Sequence, residues 1–115
     1  MIQFVHRGLC GKYSAYLRDS VKAINRLRYA VLTEQAKTDN THKVGIDKSG
    51  TVISEADLDH MLAQPKLTIF FGDSNGLPAD ILASCDEVYR ISLLPIPHQF
   101  EATIITEQIA KALVK

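Results

Sequence analysis

Three short segments hold the residue types with the most chemical promise: Asp47-Lys48-Ser49-Gly50, Gly72-Asp73-Ser74-Asn75-Gly76 and Ser92-Leu93-Leu94-Pro95-Ile96-Pro97-His98. The second contains two glycines, which let backbone N–H groups approach a ligand closely. It lacks GxGxxG and the Lys-Ser/Thr of a phosphate loop, and a plain strand-to-helix turn accounts for it as well. The third is apolar yet has two prolines, so it suits neither a strand interior nor a helix. Such a stretch either lines a pocket for a flat ring, with backbone groups bonding the ring edge, or packs on the core. His98 follows Pro97 at the expected start of a helix, where the dipole favours a neutral imidazole able to accept a proton. A structural hydrogen bond closing the loop is the other role open to it. Glu107 reads as one half of a surface ion pair with Lys111, four residues on.

Cys10 and Cys85 form no CxxC or Cys/His cluster, and the four histidines show no paired ligand spacing. No metal site is expected, and the thiols are expected to be reduced and structural. No Ser/His/Asp arrangement, paired-carboxylate motif or nucleophilic cysteine context stands out. Local chemistry therefore stops at a small-molecule pocket built largely from backbone.

Elements to position these segments follow from periodicity. Ile2 to Val5 suits a first strand, and Lys12 to Leu27 carries Tyr13, Leu17, Val21, Ile24 and Leu27 at the spacing of one helical face. Arg18, Lys22 and Arg26 recur every four residues on another face. Tyr29–Leu32 is an expected strand, residues 34–42 a loop, and Val44–Ile46 a brief strand ended by turn chemistry at Asp47–Gly50. Ser54 and Asp57 resemble a capping box for a helix over 55–63, which Pro65 stops. Leu67–Phe71 is continuously apolar, as a parallel strand covered on both faces requires. A short helix over 78–83, a strand over 88–91 and a helix over 99–114 complete the order β-α-β-β-α-β-α-β-α. That alternation predicts one α/β domain over residues 1–115, with a mostly parallel sheet and helices on both faces. In such sheets ligands sit outside the carboxyl ends of the strands, which is where the three segments fall.

The chain has 115 residues and is 46% apolar, enough to bury a core without staples and far from a disordered composition. No stretch approaches the roughly 20 apolar residues of a membrane span, and the start is unlike a signal peptide, so a cytoplasmic location is expected. Net charge is zero but unevenly placed. Residues 1–43 carry eight Lys/Arg against three Asp/Glu, and residues 44–115 five against ten. Two readings stand: a basic face for an anionic polymer, or chance clustering on solvated helices.

Taken in order, Val44-Gly45-Ile46-Asp47-Lys48-Ser49-Gly50 with the Ser54 helix, Phe71-Gly72-Asp73-Ser74-Asn75-Gly76-Leu77, and Leu94-Pro95-Ile96-Pro97-His98 with Glu107 resemble the blocks of SPOUT-class RNA methyltransferases. Within that class the chain is most similar to the small RlmH family, which methylates a pseudouridine in large-subunit (23S) ribosomal RNA. The resemblance covers residues 43–113, while the N-terminal third matches only in its strand-helix-strand outline. It implies a C-terminal trefoil knot, a homodimer in which the last helix's apolar stripe has an interface role, and S-adenosylmethionine as methyl donor. It places cofactor contacts on Ile46, Gly72, Ser92, Leu93, Leu94, Pro95, Ile96 and Pro97. With that function, His98 becomes the candidate base, and Arg18, Lys22 and Arg26 become candidate RNA phosphate contacts. Departures are Asp73-Ser74-Asn75 where the family often has Gly-Pro-Glu, Ala102 in place of an Arg, and an end at Lys115 where family members continue into a Tyr-His-Arg tail. A non-catalytic SPOUT-like RNA-binding dimer and a flavodoxin-like nucleotide-binding module are the competing expectations.

Overall fold

The computed structural model describes residues 1–6, 11–37 and 40–114. The chain runs β1 (Ile2–Val5), α1 (Gly11–Asn25), β2 (Ala30–Thr33), β3 (His42–Val52), α2 (Glu55–Leu62), β4 (Leu67–Phe71), α3 (Ala79–Ser84), β5 (Glu87–Arg90) and α4 (His98–Leu113). This is the expected alternation, element for element. Every strand pairing is parallel, in the order β2-β1-β4-β3-β5. The continuously apolar β4 and β1 take interior positions and are buried at every residue. The order departs from the 2-1-3-4-5 sheet of flavodoxin-like proteins, which sets that alternative aside.

Side chains alternate across the sheet. Ile2, Phe4, Val44, Ile46, Leu67, Ile69, Phe71 and Tyr89 meet Val21 and Ile24 of α1, Met61 of α2 and Ala102, Ile105 and Ile109 of α4 in one core. The opposite face carries Gln3, Gly45 and Thr68, with the Gln3 amide donating to Thr68 Oγ1 at 3.0 Å so that neither is buried without a partner. α3 packs there against β3: a Cβ on Gly45 would lie 3.0 Å from both Cys85 Sγ and Leu77 Cδ1. Helices thus cover both faces, three on one and a six-residue helix on the other. Burial, then the charge of Asp86, pushes the free Cys85 thiol up to about 11, which keeps it protonated and inert. Cys10 lies outside the described residues.

Two elements differ from expectation by more than one residue. α1 stops at Asn25, whose side-chain oxygen accepts the Ala30 N–H at 2.9 Å, so Arg26 and Leu27 lie in the following turn. β3 extends to Val52, its ladder with β5 interrupted over the expected turn at Asp47–Gly50 and resumed at Thr51. The Ser54–Asp57 capping box forms with both bonds, at 3.0 and 2.9 Å, so the shorter Asp serves where Glu is usual. Arg28 donates to the Leu62 carbonyl at 2.7 Å and to that of Gln64, closing the other end of α2. Among the described residues, no helix is long and apolar enough to cross a membrane.

Candidate functional site

At the carboxyl edge of β3 the chain makes an excursion and returns to the ladder. Ile46 and Thr51 both register with Tyr89, so residues 47–50 loop out between them. Gly50 makes the return possible, because a Cβ there would lie 2.6 Å from the Tyr89 nitrogen. Asp47 organises the excursion. Its Oδ2 accepts the Ser49 N–H (3.0 Å) and hydroxyl (2.6 Å), and its Oδ1 reaches across to accept the Leu77 N–H at 2.9 Å. Burial pushes this carboxyl up, but the Ser49 hydroxyl, the Leu77 and Ser49 N–H groups and the Lys48 charge outweigh it, leaving Asp47 below the usual carboxylate range.

The bend after β4 closes on itself and on Asp47. Gly76 has φ +83°, and a Cβ there would come 2.8 Å from Asp47 Oδ1. Its N–H donates to the Asp73 carbonyl at 2.9 Å, and the Asn75 N–H donates to Asp73 Oδ1 at 2.8 Å. A Cβ on Gly72 would sit 3.0 Å from the Gly76 carbonyl carbon. Both glycines are therefore required by the close packing of this bend, as the plain strand-to-helix turn that the sequence also allows requires.

The proline-bearing loop is tethered by one side chain. Arg90 donates through Nε to the Ser92 carbonyl (2.6 Å), through Nη2 to Leu93 (3.2 Å) and through Nη1 to Lys48 (2.7 Å). The three segments thereby enclose a cleft of about 380 Å³, lined by Ile46, Asp47, Lys48, Gly72, Asp73, Ser74, Gly76, Ile96, Pro97, His98 and Glu101.

Of the expected site residues, Ile46, Gly72, Ile96, Pro97 and His98 meet in this cleft, while Ser92, Leu93, Leu94 and Pro95 do not line it. Leu93 and Leu94 are 79% and 73% exposed. Arg18 and Lys22 are exposed on α1, and Arg26 is exposed just beyond it. Because β1 and β2 are parallel, α1 must return the chain from the carboxyl edge to the amino edge, so the row recedes from the cleft toward Arg26. None of the three lines it.

His98 opens α4 half-buried, its ring 5.8 Å from that of His6, which in turn lies 5.8 Å from Phe71. A line of rings thus runs from the cleft into the core. Glu101 stands one turn further along α4. Burial raises its carboxyl above the usual range and the Asp47 charge adds to this, against the Ile91 N–H and the Arg90 charge. Sequence reasoning missed Glu101 and Arg90. Placing His98 in a helical first turn was the available signal for Glu101, since positions three apart share a face. Glu107, by contrast, is exposed and, among the described residues, makes no ion pair with Lys111. The cost of ordering two long exposed side chains explains that.

Two other hollows flank this region. One of about 430 Å³ lies behind the glycine bend, between residues 34–36 and α3, and another of about 560 Å³ lies between α2 and α4. Neither joins the bend to the proline loop.

No protein-family model matches the chain. It is 31% identical over 113 residues to the ribosomal RNA large subunit methyltransferase H of Xanthomonas campestris pv. campestris (strain B100), an overlap covering 94% of this chain and 69% of that protein. It is also 30% identical over 88 residues to the protein of the same name from Legionella pneumophila (strain Lens), covering 72% of this chain and 56% of that one.

Proposed function

The chain belongs to the ribosomal RNA large subunit methyltransferase H family, and from that premise we propose that it transfers a methyl group from S-adenosylmethionine to a pseudouridine of large-subunit (23S) ribosomal RNA. One observation carries the reading: the Gly72–Gly76 bend and the Ile96–His98 segment meet around one cleft at the carboxyl ends of β3 and β4. Open α/β sheets take their ligands there.

The residues present fit the donor. The cleft volume, about 380 Å³, lies within the roughly 300–1,000 Å³ of small-molecule sites. Ile46, Ile96 and Pro97 offer apolar walls to a flat base, and Asp47, Asp73 and Glu101 bring carboxylates to a cationic ligand. When bound, S-adenosylmethionine supplies an electrophilic sulfonium methyl. The chain's part is to hold donor and acceptor in attack geometry, which supplies much of the rate in a displacement of this kind. His98, whose ring is steadied against His6, takes the proton from the acceptor nitrogen.

Ser92, Leu93, Leu94 and Pro95 form the outer half of the cofactor loop in this reading. The exposed Leu93 and Leu94 favour a cover over them, supplied by a second copy whose own loop completes the site. The whole is a single SPOUT-type unit working in the cytoplasm, with α4 threaded as the last pass of a trefoil knot. Arg18, Lys22 and Arg26 contact RNA phosphates, which makes binding fall with added salt.

A specific observation supports a second reading. Ala102, where the family often carries Arg, is fully buried in the core and offers no cation to substrate. A non-catalytic RNA-binding dimer fits that. Calorimetry with S-adenosylmethionine and with its demethylated product, followed by labelled-methyl transfer to large ribosomal subunits, decides between them. Binding with transfer is expected. Binding without transfer selects the second reading, and no binding of either compound at millimolar concentration removes the first.

A further inference from the structure

At the amino edge of the sheet, His42 opens β3, Glu87 opens β5 and His60 lies in the last turn of α2. We propose that these three side chains bind a divalent transition-metal ion of the zinc type. Among the described residues, their ligating atoms all lie within 4.8 Å of one another. His42 Nε2 stands 2.9 Å from Glu87 Oε2, and His60 Nε2 stands 3.5 Å from Glu87 Oε1. Nitrogen and carboxylate ligands held about 2.0–2.1 Å from a tetrahedral zinc are separated by about 3.3 Å, so the His42–Oε2 pair needs to open by only a few tenths of an ångström, while His60, which faces Oε1, closes on the same ion by a turn of its exposed side chain. The two imidazoles meet edge to face, with centroids 5.9 Å apart at 85°.

Hydrogen bonding alone explains half of this arrangement. The His42–Glu87 contact has ordinary hydrogen-bond length, but 3.5 Å between His60 and Glu87 is too long for a good one. That longer spacing leaves His60 room to turn toward an ion held by His42 and Glu87 Oε2. The surroundings have the form of an outer shell that orients ligands. Asp86 Oδ2 accepts the Lys43 N–H at 2.8 Å and faces His42 Nδ1 at 3.6 Å, leaving Nε2 for the site. The Tyr89 hydroxyl donates to Glu87 Oε1 at 2.9 Å, fixing the carboxylate. His60 has 57% of its side-chain surface exposed, which gives an ion a way in and leaves a fourth position to water. A bound ion would tie the end of α2 to the first residues of two strands. The site lies across the sheet from the cleft and stands independently of the methyl-transfer reading.

The test is a zinc titration of the untagged chain against a chromogenic chelator, repeated with cobalt to read its visible absorption. Expected are one ion per chain at micromolar free metal, a cobalt band of tetrahedral intensity and a higher melting temperature with zinc. Exposed His60 tolerates truncation, so His60→Ala should keep the native circular dichroism while zinc affinity falls at least about tenfold and the cobalt band disappears. Glu87→Gln should do the same, and His98→Ala should leave the titration unchanged. A wild-type chain that retains no zinc at micromolar free metal overturns the proposal. So does a folded His60→Ala chain that binds as tightly as wild type.

Discussion

The two edges of the sheet are built by different means. At the carboxyl edge, glycines and carbonyls do the shaping: Gly50, Gly72 and Gly76 permit close approach, and Arg90 gathers three backbone oxygens. At the amino edge, side chains from two elements, β3 and α2, converge on a carboxylate of a third, Glu87 of β5. The first construction makes a hollow with apolar walls, suited to enclosing a molecule. The second makes a point of contact, suited to holding a small ion or tethering a helix. The contrast teaches that two chemically promising places on one sheet need not share a task.

Replacing His98 tests the division most severely. His98→Ala is expected to lower methyl transfer by about a hundredfold or more, as loss of a general base does, while S-adenosylmethionine affinity by calorimetry stays near wild type. A loss of less than tenfold reassigns the base and leaves the cleft as a binding site only. Next in size is Gly50→Ala, whose methyl would meet Tyr89 backbone at 2.6 Å. With no flexible side chain to yield, it should destabilise the fold by about 3 kcal/mol in urea unfolding. Tolerance within a few tenths of a kcal/mol would mean that the 47–50 excursion moves freely.

Arg90→Ala should cost about 2 kcal/mol of stability, the scale of charge-assisted bonds that are partly solvated, and weaken S-adenosylmethionine binding about tenfold. Lys should not restore it, since one ammonium cannot match a guanidinium spread over three acceptors. Unchanged binding in Arg90→Ala would detach the proline loop from the ligand.

Glu101→Gln is the smallest effect expected, and it has a definite sign. Folding holds this carboxyl above its ordinary range, so its contribution is full in acid and lost as pH rises through the folded value. The substitution should therefore raise the melting temperature near pH 7 and do nothing near pH 4. Asp47 runs the other way, its contribution being present above the ordinary carboxylate range and lost in acid. A gain at both pH values for Glu101→Gln would point to packing instead of charge.

Much of the fold was legible from periodicity. Leu67–Phe71 announced itself as an inner strand, and Ser54 and Asp57 marked the start of α2. The 47–50 excursion was not legible, because Asp-Lys-Ser-Gly supports a chain reversal and a re-entrant loop alike. What decides is a contact with Tyr89, nearly forty residues away in the chain. Likewise His42, His60 and Glu87 share no local spacing, and only the crossover from β4 past β3 to β5 brings the third to the other two. Arg26 fell outside its helix because Asn25 spends its side chain on Ala30, a choice that apolar spacing does not register.

The acceptors that Arg90 grips are peptide carbonyls of Lys48, Ser92 and Leu93. Carbonyls do not titrate, and dissolved ions do not neutralise them as they would a carboxylate. The tether of the proline loop to the 47–50 excursion should therefore hold across acidities and salinities at which the carboxylates lining the hollow change state.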